Sequence, residues 1–163
     1  MNGFGAYVSG DAVRFERLLP APPEQVWAYL TESELLSEWL GNGEIAREVG
    51  GKVELRSGGP VIRGTVLECA TPRLLSYTWN VYMPGGEAPA AAESVLRFEL
   101  TARGNETALA LTHGPIAAVY RSRTAAGWHA LLDILAARLS DEMPPDFVET
   151  FHRVHPDYEK LPS

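Results

Sequence analysis

The amino-acid sequence predicts an α+β domain: a twisted antiparallel sheet of about seven strands, with one long C-terminal helix lying across its apolar face. Three observations predict it. Apolar and polar residues alternate over residues 11–19 and again through most of 52–113, the period of strands with one buried face. An apolar stripe at helical spacing then runs from 118 to 140. Finally, 163 residues with 45% hydrophobic and 21% charged suit a single globular domain with one sizeable core.

The elements follow in order. Val13 and Phe15 alternate with Arg14 and Glu16 in a first strand ending at Leu19. Pro20-Ala21-Pro22-Pro23-Glu24 opens a helix, since proline fits a first turn and Glu24 complements the positive end of the helix dipole. Val26, Trp27 and Leu30 continue it at helical spacing. Thr31-Glu32-Ser33-Glu34 has the capping-box pattern and predicts a second short helix carrying Leu35, Leu36, Trp39 and Leu40, ended by Gly41-Asn42-Gly43. Val53 and Leu55 mark the next strand, Gly58-Gly59-Pro60 a turn, and Val61 to Glu68 the returning strand. After Thr71-Pro72, Leu75, Tyr77 and Trp79 share one face of a strand. Residues 80–93 read as a long mobile connection and a candidate lid. Leu96, Phe98 and Leu100 alternate in the following strand, Gly104-Asn105 turns the chain, and Leu109 and Leu111 lead to His113 before Gly114-Pro115. The long helix covers about Ala118 to Ser140. Trp128, Leu131, Leu132, Leu135 and Leu139 form its stripe, which Arg121 and Thr124 extend toward its start. Met143-Pro144-Pro145 ends it, and Phe147, Phe151 and Tyr158 mark a short docked helix in the tail.

Charge and cysteine content exclude several function classes. The net charge of −7 supplies no basic field for nucleic acid or anionic lipid. Cys69, the single cysteine, rules out an intrachain disulfide and a multi-cysteine zinc site, as expected of a cytoplasmic protein. No apolar run approaches the ~20 residues that span a bilayer, and Met1 to Gly10 lacks the pattern of a signal peptide. Residues 141–163 carry six acids against two bases, so more than half of the charge sits in the tail.

Catalytic signatures fail on context. Gly41-Asn42-Gly43-Glu44-Ile45-Ala46 matches a dinucleotide fingerprint, but it follows a helix and precedes a strand, the reverse of what that fingerprint needs. Gly51-Lys52 lacks the rest of a phosphate loop, and the sequence has neither a nucleophile elbow nor a zinc-binding HExxH. His152 and His155 read as a solvated tail, since two histidines without a carboxylate make a poor metal site. His129 and Asp133 read as a surface pair on the flank of the long helix, and Cys69 as an inert thiol. The expectation is no catalytic residue, no metal and no cofactor.

The order of these motifs is similar to that of a known superfamily. The opening strand, Pro22-Pro23-Glu24-Gln25-Val26-Trp27, Trp39, Pro72-Arg73-Leu74-Leu75-Ser76-Tyr77-Thr78-Trp79 and the Gly127-Trp128 helix resemble the SRPBCC (START-like, helix-grip) superfamily. Within it they resemble the branch homologous to the activator of heat-shock protein 90 ATPase, over about residues 9–142. The resemblance implies a helix-grip fold: a seven-stranded sheet wrapped around the C-terminal helix, enclosing a deep apolar pocket. It implies no fixed catalytic residue and no obligatory cofactor. It divides the chain into a START-like domain, residues 1–142, and an acidic C-terminal extension, residues 143–163. About ten residues precede the first strand, so the chaperone contact made by a separate N-terminal domain in the eukaryotic co-chaperone is not expected to carry over.

A sheet curved around a helix places a ligand between them. The pocket candidates are Trp39, Leu75, Tyr77, Trp79, Leu96, Phe98, Leu111, Trp128, Leu131 and Leu132, with His113 and Arg121 placed to receive a carboxylate or hydroxyl at the mouth. Each apolar member is equally explained as core, because burying one such side chain is worth ~1.5–3 kcal/mol without any ligand. The expected function is binding of an apolar or lipid-like small molecule. Two other readings stay open: a polyketide-cyclase-like enzyme using His113, Tyr77 or Arg121, and a partner-binding module that docks through residues 141–163. Exposed sheet edges are compatible with a homodimer.

Overall fold

A computed structural model of the chain describes residues 3–162; Met1, Asn2 and Ser163, the outermost residues of the two expected segments, lie outside them. The elements are β1 (Ala6–Val8), β2 (Ala12–Leu19), α1 (Pro23–Thr31), α2 (Ser33–Leu36), β3 (Asn42–Ile45), β4 (Lys52–Arg56), β5 (Val61–Ala70), β6 (Leu74–Tyr82), β7 (Ser94–Arg103), β8 (Glu106–Gly114), α3 (Ala118–Leu139) and α4 (Phe147–Glu159). The strands form one open sheet in the order β1-β2-β8-β7-β6-β5-β4-β3, antiparallel throughout. Curved around α3, this is the helix-grip arrangement, with eight strands where about seven are expected.

The additional strands are those whose sequence carries no period. β1 has three residues and follows Gly3-Phe4-Gly5, too short for alternation to register. It returns to β2 through Ser9 and Gly10, both at positive φ. β3 occupies the glycine stretch read as a helix stop. Gly43 lies so close to β4 that a Cβ there would come within 1.9 Å of the Glu54 carbonyl oxygen, so glycine is required by the pairing itself.

Two further expectations are corrected. The capping box does not form: Thr31 Oγ1 donates instead to the Trp27 carbonyl at 2.9 Å, closing α1, and α2 is a single four-residue turn. Trp39 therefore sits in the turn after α2, where its indole N–H donates to the Tyr29 carbonyl at 2.8 Å. Residues 80–82 are not part of the connection either, because β6 continues to Tyr82 in register with Val61 of β5.

α3 is buried on two sides. Arg121, Ala125, Trp128, Leu132, Leu135 and Leu139 form the stripe directed at the sheet and α1. Ala126, His129 and Ala130 are also buried, because α4 packs along that flank. α4 begins at Asp146, whose side chain accepts the Glu149 N–H at 2.9 Å, and it buries Thr150, Val154 and Tyr158. The expected surface pair of His129 and Asp133 is thus an interior contact: His129 is 4% exposed.

Tyr158 makes that contact specific. Its hydroxyl accepts the Gly5 N–H at 2.8 Å and donates to His129 Nδ1 at 2.8 Å, leaving His129 Nε2 to face Asp133 at 3.6 Å. Burial pushes the Tyr158 hydroxyl up to about 12 and His129 down to about 4, the latter partly opposed by Asp133, so both are neutral near pH 7. Tyr7 adds a bond from its hydroxyl to the Tyr158 carbonyl at 2.8 Å. Tyr158→Phe strips a buried N–H and a buried ring nitrogen of their partner, so it is expected to lower unfolding free energy by about 2–3 kcal/mol in urea titration. A change below about 0.5 kcal/mol would show that this clasp is not what holds α4.

Candidate functional site

The sheet's strand register builds the site in rows. Val13, His113, Leu96, Tyr77 and Val66 lie side by side across β2, β8, β7, β6 and β5, all buried. The adjacent row is Phe15, Leu111, Phe98 and Leu75, and the next turn of β6 brings Trp79 opposite Ser94. Strand alternation alone therefore directs these side chains toward α3.

Trp128 of α3 meets them in the middle. Its ring centroid lies 5.6 Å from Trp79, 5.8 Å from His113 and 6.3 Å from Phe98. Tyr77 stacks 6.3 Å from Trp79, and Trp39 stands edge-on to Phe98 at 6.4 Å. Trp39, Tyr77, Trp79, Phe98 and Trp128 thus form a continuous aromatic cluster along the sheet–helix seam, a cage of rings packed on one another, of which only Trp39 lines a groove. Leu75, Leu96, Leu111 and Leu132 are buried around it. Leu131 is only half-buried: it lines an open groove of about 510 Å³ with Leu40, Ile134 and Phe147. Trp39 lines the same groove, so its indole is the wall between groove and cage.

A polar relay crosses the cage. The indole N–H of Trp128 can only donate, and it does so to His113 Nδ1 at 2.9 Å. This fixes the neutral ring's proton on Nε2, which donates to Ser94 Oγ at 2.8 Å. The Ser94 hydroxyl in turn reaches the Trp79 carbonyl at 3.4 Å. Burial pushes His113 down to about 4. The consequence is chemical: His113 presents a proton to Ser94, not a lone pair, and so does not activate that hydroxyl as a base would. Ser94 itself falls just before the strand expected from Val95, although extending the parity of Leu96, Phe98 and Leu100 back by one step reaches it.

Two other candidate residues each carry a buried polar atom with no partner among the described residues. The Tyr77 hydroxyl sits at 0% exposure with no hydrogen bond, and burial raises its pKa. Arg121, 6% exposed, has a buried Nε without a partner and one long bond of 3.4 Å from Nη2 to the Ile116 carbonyl.

Among the described residues no group of three or more His, Cys, Asp or Glu converges as a metal site. His152 is exposed, while His155 Nε2 lies 3.2 Å from Ser122 Oγ. The connection at 83–93 is exposed at every residue from Met83 to Glu93. A second groove, about 640 Å³, is lined by Glu32, Glu34, Glu44 and Glu48 with Arg47 and Lys52, and touches none of the cage residues. No described helix is long and apolar enough to cross a membrane.

With this geometry in place, similarity to known proteins is informative. The family model described as Activator of Hsp90 ATPase homolog 1-like protein matches residues 20–140. A Bordetella parapertussis protein solved by solution NMR is 36% identical, with a TM-score of 0.74, covering 99% of this chain and 92% of its own. CalU16 from Micromonospora echinospora is 21% identical with a TM-score of 0.73, covering 92% of this chain and 87% of its own. DynU16, a protein of the dynemicin biosynthetic locus, is 22% identical with a TM-score of 0.70, covering 82% of this chain and 49% of its own. No functionally curated protein matches.

Two predictions follow from the buried polar groups. His113 has a lower pKa folded than its ordinary 6.5, so it favours the folded state fully above pH 6.5 and progressively less as pH falls toward about 4. His113→Gln is expected to flatten the urea-midpoint profile between pH 6.5 and 4, by on the order of 2–3 kcal/mol across that window. A profile parallel to wild type would show that His113 titrates in the fold as it does in the unfolded chain. Tyr77→Phe removes a hydroxyl that has no partner, and is expected to raise ligand-free stability by about 1 kcal/mol. A loss of that size would instead reveal a hydrogen bond to the hydroxyl.

Proposed function

The chain belongs to the Activator of Hsp90 ATPase homolog 1-like protein family, and we propose that within it this protein binds an apolar small molecule between the sheet and α3. The observation that carries the reading is the orphaned Tyr77 hydroxyl. A buried hydroxyl without a partner costs about 1–3 kcal/mol, and a phenylalanine would fill the same space without that cost. A ligand bearing a hydroxyl or carbonyl gives the group its partner. The cage supplies the complementary apolar surface, with Trp79 and Trp128 stacking against the ligand's body. Trp39, the one cage residue that lines the open groove, marks that groove as the route of access in this reading.

Binding is favoured over catalysis by the relay. The one buried histidine of the cage has both ring nitrogens engaged, one by Trp128 and one by Ser94. Among the described residues no carboxylate is buried beside it.

The test is direct. Dodecanol, an uncharged probe, is expected to shift the emission of the cage tryptophans and to appear as an adduct in native mass spectrometry. At about 100 times its Kd it should stabilise the protein by about 2.7 kcal/mol. Tyr77→Phe should weaken it by about five- to tenfold. No adduct, spectral change or thermal shift with either dodecanol or the fatty acid of the same chain length would overturn the reading.

A further inference from the structure

Arg121 is placed like a residue waiting for an anion. It lies in the first turns of α3 and its guanidinium reaches back to Ile116, just before the helix start. Although 6% exposed, it enters no ion pair among the described residues. Its contacts are the Tyr7 ring, 5.7 Å from Cζ, and one long bond, which leaves Nε orphaned. Glu159 is close enough to act on Tyr7, but it makes no ion pair with Arg121, and its carboxylate lies 3.8 Å from His155. Among the described residues this largely buried permanent cation has no counter-ion, a costly arrangement that an anion from another molecule would relieve.

The helix end reinforces the same charge preference. α3 has no side-chain cap at Ala117 and no acidic residue in its first turn, so its free N–H groups and the positive end of its dipole are uncompensated. The surrounding segment from Ala117 to Tyr120 is exposed, leaving that end reachable. Arg121 also lies seven residues before Trp128, which places the two on one face of α3 about 10.5 Å apart. An extended apolar chain of that length links the guanidinium to the cage.

We infer that the ligand is an apolar carboxylic acid whose carboxylate is received by Arg121 and the start of α3, while its hydrocarbon body lies in the cage. This inference rests on the binding reading above for its apolar half only. Planar bidentate recognition of a carboxylate is what a guanidinium provides and an ammonium does not.

The experiment compares laurate with dodecanol, equal in chain length and different in charge, on wild type and Arg121→Met at pH 7.5. Wild type is expected to bind laurate at least about tenfold tighter than dodecanol, and Arg121→Met to erase that preference by weakening laurate at least about tenfold more than dodecanol. Because the variant relieves an unpaired buried charge, its ligand-free Tm is expected to rise by a few degrees, on the order of 2–4 °C, where a structural arginine would lower it. Equal affinity of wild type for both probes, or a variant that weakens both alike, overturns the inference and leaves the binding reading standing. If neither probe binds wild type, the binding reading falls. Acetate titration of the Arg121 Nε–Hε resonance then decides this one: a saturable shift supports the anion site, and no shift overturns it.

Discussion

One hydrogen bond inside an otherwise apolar seam sets the arrangement of this protein, the donation from Trp128 to His113 that ties α3 to the middle of the sheet. Hydrophobic contact alone would let a long helix slide or rotate on a curved sheet, since apolar burial is non-directional. A buried indole N–H is directional and is costly to leave unmade, so it fixes the helix in both register and rotation. From that bond follow the tautomer of His113, the partner of Ser94, and the positions of Trp79 and Phe98 around Trp128. The bond requires a neutral ring, which the depressed pKa supplies.

Against that ordered background, unsatisfied groups stand out. Tyr77 and Arg121 each carry a buried polar atom with no partner, one within the cage and one near the start of α3. Natural cores satisfy nearly all such groups, and exceptions concentrate where function opposes stability. Arg17, the other example, differs in that its remaining guanidinium nitrogens are bonded to Asp133 and the Gly3 carbonyl. Its charge is compensated within the fold, whereas that of Arg121 is not.

Much of the fold is legible in the sequence because its long elements carry strong periods. β7 as far as Leu100 and β8 from Thr107 alternate buried and half-buried residues, and α3 shows its stripe from Trp128 to Leu139. What is missed is short or conditional on tertiary contact. β1 and β3 have too few residues for a period, and the burial of His129 depends on α4, whose placement no local pattern on α3 reveals. The candidate site is legible in the same measure. Parity along the strands identifies Tyr77, Trp79, Leu96, Phe98 and His113 as facing one way. Partnership is invisible at that level: nothing in the sequence distinguishes His113, with both nitrogens bonded, from Tyr77, with an idle hydroxyl.

The Gly5–Tyr158 bond joins residues 153 positions apart. It closes a loop nearly as long as the chain, and the entropy lost on closing a loop grows with its length, so the contact is costly to form before the sheet and helix are in place. The same contact brings the two ends of the described chain together, with β1 seated beside the last turn of α4. A permutant that links the segment before Gly5 to the segment after Tyr158 and opens the chain elsewhere would turn this long-range contact into one of the most local.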